Sequence, residues 1–215
     1  MKDIMQAMKE RHSVRRYLNK PLAADAVEAL QKLTDECNRE SGLHLQLITN
    51  EPESFAKNFP DCSAYIALIG KNDKNLDELC GYYGEKLVLL AQQYDINSCW
   101  AALTFRNIKN AYKLEAGEKL TAEIALGYGE NQGREHRSKS FAEVTRISGE
   151  APQWFRDGVE AALLAPTAIN QQKFTFAYKD GEVTATAGLG PYAKMDLGIV
   201  KYHFEIGSGG AVKFF

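Results

Sequence analysis

Two short polar segments, one near each end of the chain, constrain the fold more than any other feature of the sequence. Residues 10–17 read ERHSVRRY and place three arginines around Ser13, whereas residues 165–172 read APTAINQQ and lie between an apolar helix and an apolar strand. Forked, charge-assisted donors from arginine beside a neutral hydroxyl donor suit a phosphate group. We therefore expect the first segment to bind a phosphate and the second to hold polar side chains near the edge of an element.

The composition is that of an ordinary globular protein and excludes several functional classes. The 215 residues are 45% hydrophobic and 25% charged, with a formal net charge of −2. This balance argues against a dedicated binder of nucleic acid or of anionic membranes. No apolar run approaches the roughly 20 residues that cross a bilayer, and the first residues lack the hydrophobic core of a signal peptide. We expect a cytoplasmic protein with no nucleic-acid or membrane partner.

The cysteines and histidines do not form a metal-binding pattern. The four residues of each type are Cys37, Cys62, Cys80 and Cys99, and His12, His44, His136 and His203. No CxxC pair is present and no histidine lies at metal spacing from a cysteine. We predict no metal site and reduced, buried cysteines, with a reactive thiol or a disulfide as the alternatives.

The hydrophobic pattern predicts the α+β class. Apolar residues at three- and four-residue intervals predict helices over 3–11, 24–40, 75–95, 152–164 and 191–207. Apolar runs predict strands over 43–49, 64–69 and 123–128, and a hairpin of 174–178 with 183–186 through an Asp-Gly turn. Residues 96–103 are predicted to be an apolar loop and residues 130–139 a charged connection. Because helices and strands intermix without regular βαβ alternation, we expect an antiparallel or mixed sheet flanked by helices.

Several of these segments resemble the nitroreductase family of FMN enzymes. Arg11-His12-Ser13-Val14-Arg15 is similar to the family's Arg-x-Ser-x-Arg/Lys segment, and residues 165–172 are similar to its Pro-Ser-x-x-Asn turn. Residues 76–105, with Ser98-Cys99-Trp100, look like its central helix and following loop. Residues 124–128, followed by Arg137-Ser138-Lys139, look like its Gly-Tyr strand and basic tail. The resemblance covers most of residues 3–205.

One element departs from the family order. The polar turn should follow the helix at 24–40, where this chain has only NRESG at 38–42. Residues 24–49 and 152–178 therefore look like two copies of one helix-turn-strand unit, of which only the second keeps the turn. We interpret 1–150 as a nitroreductase-like half with the phosphate cradle and 151–215 as a second partial copy, as in a fused dimer. A monomer could then carry a complete site, and further self-association is left open.

The resemblance assigns the arginine segment and the basic tail to the FMN phosphate. Arg11, Ser13 and Arg15 would hold the phosphate, unless they are a solvated basic helix end. Whether Arg16 also binds the phosphate is left open, because the side chains of adjacent residues such as Arg15 and Arg16 point in different directions. Arg137 and Lys139 would be a second phosphate-side pair, or else an exposed charge run. His12 would lie near the ribityl chain.

The resemblance also indicates which residues would contact the flavin ring. Pro166, Thr167, Ala168 and Asn170 would contact the isoalloxazine or ribityl group, unless Thr167 and Asn170 only satisfy the turn. The other segment is Trp100, Ala101 and Ala102, which would lie against the ring, with a backbone N–H near the redox nitrogen that favours reduced flavin. The alternative is a tryptophan that belongs only to the core.

These assignments imply an FMN-dependent NAD(P)H oxidoreductase that reduces a nitroaromatic, quinone or similar flat acceptor by ping-pong hydride transfer. FMN is expected rather than FAD because no GxGxxG turn follows a predicted strand. No catalytic side chain is predicted, since the flavin carries the chemistry. The alternatives are a non-catalytic or degenerate flavin-binding protein and a flavin-free interaction protein. The acceptor and the choice between NADH and NADPH stay open.

Overall fold

The structure, a computed structural model, describes residues 2–49, 58–102 and 111–215. Within these ranges the helices are α1 (Ile4–Glu10), α2 (Ala24–Ser41), α3 (Leu76–Gln93), α4 (Gln153–Ala162) and α5 (Ala193–Gly207). The strands are β1 (Gln46–Ile48), β2 (Ala64–Lys71), β3 (Asn97–Ala101), β4 (Glu118–Gly127), β5 (Thr145–Ser148), β6 (Phe174–Lys179) and β7 (Glu182–Ala187). None of the described helices is long and apolar enough to cross a membrane.

A four-stranded antiparallel sheet in the order β1-β2-β4-β3 forms the first layer. Side chains along each strand point alternately to the two faces of the sheet. On one face, Ile66 and Ile124 pack with Leu87 of α3 in one core cluster. Tyr65 and Ala125 point to the opposite face and belong to a separate cluster. The central strand β2 is buried on both faces, which explains its continuous apolar sequence.

A smaller sheet in the order β5-β6-β7 packs with α4 and α5. β5 runs parallel to β6, and β6 and β7 form an antiparallel hairpin. The turn residues Asp180 and Gly181 have φ of 51° and 87°. Positive φ at both central residues is the type I′ arrangement that an Asp-Gly pair favours, so the predicted hairpin is confirmed.

The two layers are joined by the crossing of α3 and α5. A Cβ atom on Gly81 would overlap the carbonyl oxygen of Met195, and one on Gly198 would overlap the carbonyl oxygen of Glu78. The two helix backbones are therefore in direct contact, which only glycine allows. Met195 of α5 packs in the core of the first sheet, whereas Phe204 of the same helix packs in the core of the second.

The predicted α+β class and all five predicted helices are confirmed, but β1 is shorter than the predicted strand over 43–49. The backbone N–H of Leu43 donates to Ser41 Oγ at 3.1 Å, and that of Leu45 donates to Asn38 Oδ1 at 2.7 Å. The N–H of His44, between them, donates to the Ile69 carbonyl of β2 at 2.8 Å, and the regular ladder begins at Gln46. Residues 43–45 are thus bound to α2 on one side and to β2 on the other.

The prediction of a loop over 96–103 is wrong for most of its length. Asn97–Ala101 forms β3, which pairs with β4 from Asn97↔Gly127 to Ala101↔Glu123. Leu103 lies outside the described residues. The strand predicted at 123–128 begins earlier, at Glu118, because β4 pairs with β2 as far as Lys71. β5 was not predicted.

All four cysteines are free and buried, as predicted. The described residues contain no cluster of histidine, cysteine or acidic side chains that could hold a metal ion. The order helix then strand occurs at 24–48 and again at 153–179. This order alone does not establish a duplication, so the fused-dimer interpretation and the division at residue 150 stay predictions.

Replacing Gly198 by alanine should destabilise the protein. An added methyl group must displace the backbone of α3, and overpacking of this kind costs about 1–3 kcal/mol or more. An unconstrained helical glycine would instead gain roughly 0.5–1 kcal/mol on the same change. Chemical denaturation shows directly whether the substitution lowers or raises the free energy of unfolding. Lys194→Ala, at an exposed position of the same helix, is the control and should stay within about 0.5 kcal/mol of the wild type.

Glu123 in β4 should make stability fall with rising pH. Its side chain is fully buried, and neither carboxyl oxygen has a hydrogen-bond partner among the described residues. Burial raises its pKa from the ordinary 4.5 to about 8. Between these two values the folded protein holds a proton that the unfolded chain has released, so the free energy of unfolding decreases as pH rises.

Glu123→Gln removes this dependence. Its stability advantage over the wild type should grow between the ordinary pKa of 4.5 and about 8, with a slope of up to about 1.4 kcal/mol per pH unit. Denaturation curves across that range measure the difference, with exposed Glu150→Gln as the control. Parallel curves for the wild type and Glu123→Gln would contradict the assignment.

Candidate functional site

The arginine segment follows α1 and is held in an extended conformation beside β3. Ser13 forms a parallel bridge with Ser98, and the N–H of Val14 donates to the Ser98 carbonyl at 3.0 Å. Tyr17 is buried, bridges to Gly129, and donates its hydroxyl to the Val14 carbonyl at 2.7 Å. This anchoring leaves Arg15 exposed.

The polar turn is fixed by a carboxylate from α5. Asp196 accepts the backbone N–H of Ala168 at 2.9 Å on one oxygen and the Gln171 side-chain amide at 2.7 Å on the other. Burial raises the pKa of Asp196 to about 6, although these two donors favour the charged form. The backbone of the turn is strained as well, because Ile169 has φ of 48°. The Ile169 side chain is 90% exposed. A β-branched residue in this conformation is a genuine outlier that its surroundings must hold in place.

The two segments face each other across one cleft made of two adjoining parts. A charged part of about 480 Å³ and a more apolar part of about 550 Å³ share five lining residues. These shared residues are Ser13, Arg15, Pro166, Thr167 and Ile169. Volumes of this size are typical of sites for small organic ligands. The predicted meeting of the two ends of the chain is therefore observed.

The charged end of the cleft is strongly cationic. Among the described residues that line it there is no carboxylate, and its basic residues are Arg11, His12, Arg15, Arg16, Arg134 and His136. Arg11 is only 3% exposed, and its Nε has no hydrogen-bond partner. Burial and the Arg11 charge lower the pKa of His12. The backbone also comes close here, because a Cβ on Gly133 would lie 2.8 Å from the His12 Cβ.

The other end of the cleft has flat and aliphatic walls. Trp100, Ala101 and Ala102 line one side, and Met195 and Ile199 of α5 are also part of the lining. The Trp100 indole N–H donates to the buried carboxylate of Glu85 at 3.0 Å, which fixes the ring. A ligand with an anionic tail and a flat apolar ring would match the two ends.

A sequence model of the family described as "Putative TM nitroreductase" matches residues 3–208. The chain belongs to this family. Nitroreductases are oxidoreductases, so this membership sets the class of the enzyme. No curated protein matches the chain significantly.

Solved structures of nitroreductases share the fold. A putative nitroreductase from Thermotoga maritima is 20% identical, with a TM-score of 0.70 over 95% of this chain and 83% of its own. A putative NADH dehydrogenase/NAD(P)H nitroreductase from Bacteroides thetaiotaomicron is 15% identical, with a TM-score of 0.55 over 67% and 96%. A nitroreductase family protein from Streptococcus pneumoniae is 14% identical, with a TM-score of 0.54 over 66% and 98%. The latter two folds thus correspond to about two thirds of this chain.

Most of the predicted site residues of this nitroreductase line the cleft. They are Arg11, His12, Ser13, Arg15, Trp100, Ala101, Ala102, Pro166, Thr167, Ala168 and Asn170. Arg137 and Lys139 are not among the lining residues. Instead the Lys139 ammonium donates to the Gln172 carbonyl at 2.7 Å, and the Arg137 carbonyl accepts the Asn170 side-chain amide at 2.9 Å. The basic tail therefore braces the polar turn, and its contact with a phosphate stays a prediction.

The polar side chains of the turn also bond to the turn itself. Asn170 Oδ1 accepts the Gln172 side-chain amide at 2.9 Å, and Thr167 Oγ1 accepts the Gln172 backbone N–H at 3.1 Å. The alternative role considered for these residues is thus present in the structure. Both still line the cleft, and a direct contact with a ligand stays a prediction.

Sequence reasoning missed several residues of the cleft. Arg134 and His136 lie in the charged connection at 130–139, where the family pattern drew attention to Arg137 and Lys139 instead. Asp196 was also missed, although a single acidic residue between Met195 and Leu197 in an apolar helix is a recognisable signal of a buried polar role.

Proposed function

We propose that this nitroreductase binds FMN in the cleft and passes electrons from NADH or NADPH to a flat acceptor such as a nitroaromatic or a quinone. The observation that carries the proposal is the joining of a cationic end to an apolar, tryptophan-lined end in one cleft. FMN has the same division, with a phosphate at the end of the ribityl chain and a planar ring system.

The charged end fits a phosphate. Arg11 and Arg15 supply guanidinium donors and Ser13 supplies a hydroxyl. Charge-assisted donors of this kind suit the oxygens of a phosphate. Arg16 and Arg134 add positive charge around the same space. Riboflavin, which lacks the phosphate, would gain nothing from this end.

The apolar end fits the ring. Trp100 is held in its orientation by the bond to Glu85, and Met195 and Ile199 add apolar side chains to the same lining. Thr167 lines both parts of the cleft, where the ribityl chain would lie, and Asn170 lines the charged part. When bound, FMN supplies the hydride chemistry, and the protein supplies orientation and electrostatics. We propose that NAD(P)H and the acceptor use the ring in turn, in a ping-pong sequence.

The rival proposal is a flavin-binding protein without reductase activity. The two are separated by mixing the FMN-loaded protein with NADPH or NADH under anaerobic conditions. Loss of the flavin absorbance near 450 nm, expected at roughly catalytic rates of 1 s⁻¹ or more, supports a reductase. A spectrum that does not change with either nucleotide supports the rival.

Arg15→Ala tests the phosphate assignment. A hydrogen bond to a charged group is worth about 1.5–3 kcal/mol, so FMN affinity should fall roughly 10- to 150-fold. Riboflavin affinity should not change, and stability without flavin should stay within about 0.5 kcal/mol because Arg15 is exposed. Fluorescence titration with both flavins measures this, after chromatography has identified the flavin that heat releases from the purified protein.

Arg39→Ala, an exposed arginine of α2 that does not line the cleft, is the matched control. Equal FMN affinities for Arg15→Ala, Arg39→Ala and the wild type would show that Arg15 is only a solvated charge. Release of FAD in place of FMN would overturn the choice of cofactor.

We also propose that one chain binds one FMN without a partner. Both the arginine segment and the polar turn belong to the same chain and line the same cleft. Dilute protein, shown to be monomeric by sedimentation, should therefore bind FMN at a ratio of about 1 with unchanged affinity. Binding that appears only at concentrations where dimers form would contradict this expectation and the fused-dimer interpretation with it.

A further inference from the structure

A cluster of buried polar side chains lies behind the cleft. It joins Arg11 after α1, Glu85 of α3, Trp100 of β3 and His203 of α5, and both Glu85 and His203 are fully buried. Glu85 Oε1 lies 2.9 Å from His203 Nε2, and Glu85 Oε2 accepts the Trp100 indole N–H at 3.0 Å. One carboxylate oxygen of Glu85 thus faces α5 and the other faces β3.

The hydrogen-bond geometry links the protons of His203 to Glu85. His203 Nδ1 lies 3.1 Å from the Ala161 carbonyl oxygen, which can only accept, so Nδ1 carries a proton. Its Nε2 then either donates to an ionised Glu85 or accepts the proton of a neutral one. A buried carboxylate needs a positive neighbour, and the guanidinium of Arg11 is one.

Glu85 contacts one residue from each end of the cleft. Arg11 Nε lies 3.9 Å from Glu85 Oε1, which is an ion pair without a hydrogen bond, and Arg11 lines the charged end. Trp100 lines the apolar end. One buried carboxylate on α3 therefore contacts a residue from each end of the cleft.

We propose that Glu85 is a positioning residue that holds Arg11 and Trp100 in one geometry, so that phosphate binding and ring placement depend on the same buried charge. This inference rests on the proposed binding of FMN. It goes beyond that proposal because Glu85 and His203 do not line the cleft and act only through Arg11 and Trp100.

Glu85→Gln is the test variant, and Glu123→Gln is its matched control. Glutamine keeps the shape of the side chain and can still accept the Trp100 N–H, but it removes the charge beside Arg11. Among the described residues Glu123 is the second completely buried glutamate, yet it makes no hydrogen bond there and is not part of this cluster. It therefore shows the effect of replacing a buried carboxylate that is bonded to neither Arg11 nor Trp100.

Titration with FMN and riboflavin gives the first readout. Glu85→Gln should weaken FMN binding by about tenfold, the scale of one charge-assisted contact, and riboflavin binding by no more than about threefold. A purely structural role would weaken both flavins by the same factor. The ratio of the two affinities therefore identifies positioning of Arg11, and Glu123→Gln should leave that ratio at the wild-type value.

The flavin-free protein gives a second readout by nitrogen-15 NMR. The chain has two tryptophans, so Trp100→Phe identifies the Trp100 indole resonance. That resonance should shift in Glu85→Gln, where an amide oxygen replaces the carboxylate, and stay in place in Glu123→Gln.

The outcomes separate the two proposals. An unchanged ratio of FMN to riboflavin affinity in Glu85→Gln, or a Trp100 indole resonance that does not shift in that variant, overturns the role of Glu85 while FMN binding by the wild type stands. A wild-type protein that binds neither flavin overturns the proposed function, and the role of Glu85 in flavin binding falls with it.

Discussion

The contact of α3 with α5 at Gly81 and Gly198 is the constraint on which the rest of the structure depends. Two helices in backbone contact leave no room for adjustment, so the residues they carry are placed with little freedom. From α3 the buried carboxylate of Glu85 reaches toward the cleft, and from α5 Asp196 holds the polar turn. The charged end and the apolar end thus owe their separation to one tight helix pair.

The sequence predicted those elements whose residues carry a local pattern. The helices followed from apolar residues at regular intervals, and the hairpin followed from Asp180-Gly181. The segment around Trp100 was misassigned because this five-residue strand is buried on both faces, so its sequence NSCWA does not alternate between apolar and polar residues. β1 was predicted too long because residues 43–45, which lead into it, are bound both to the end of α2 and to β2, and an alternating pattern does not distinguish this from a regular ladder.

The residues of the site likewise divide into those that the sequence predicted and those that it did not. The arginine segment and the polar turn could be recognised because their residue types fit a ligand, and their meeting across the cleft is observed. Glu85 and His203 could not be recognised, since 118 positions separate them and neither belongs to a motif. Lys139 illustrates a different failure: a basic residue that matched a family position by sequence bonds instead to the turn.

Trp100 packs against both core clusters, the one beneath the main sheet and the one between α4, α5 and the second sheet. A side chain shared in this way ties the free energies of the two clusters together, because neither can open without exposing the same indole to water. The chain should therefore lose its structure in a single cooperative transition. A ligand that binds against this tryptophan would stabilise both halves at once, although it touches only a small part of either.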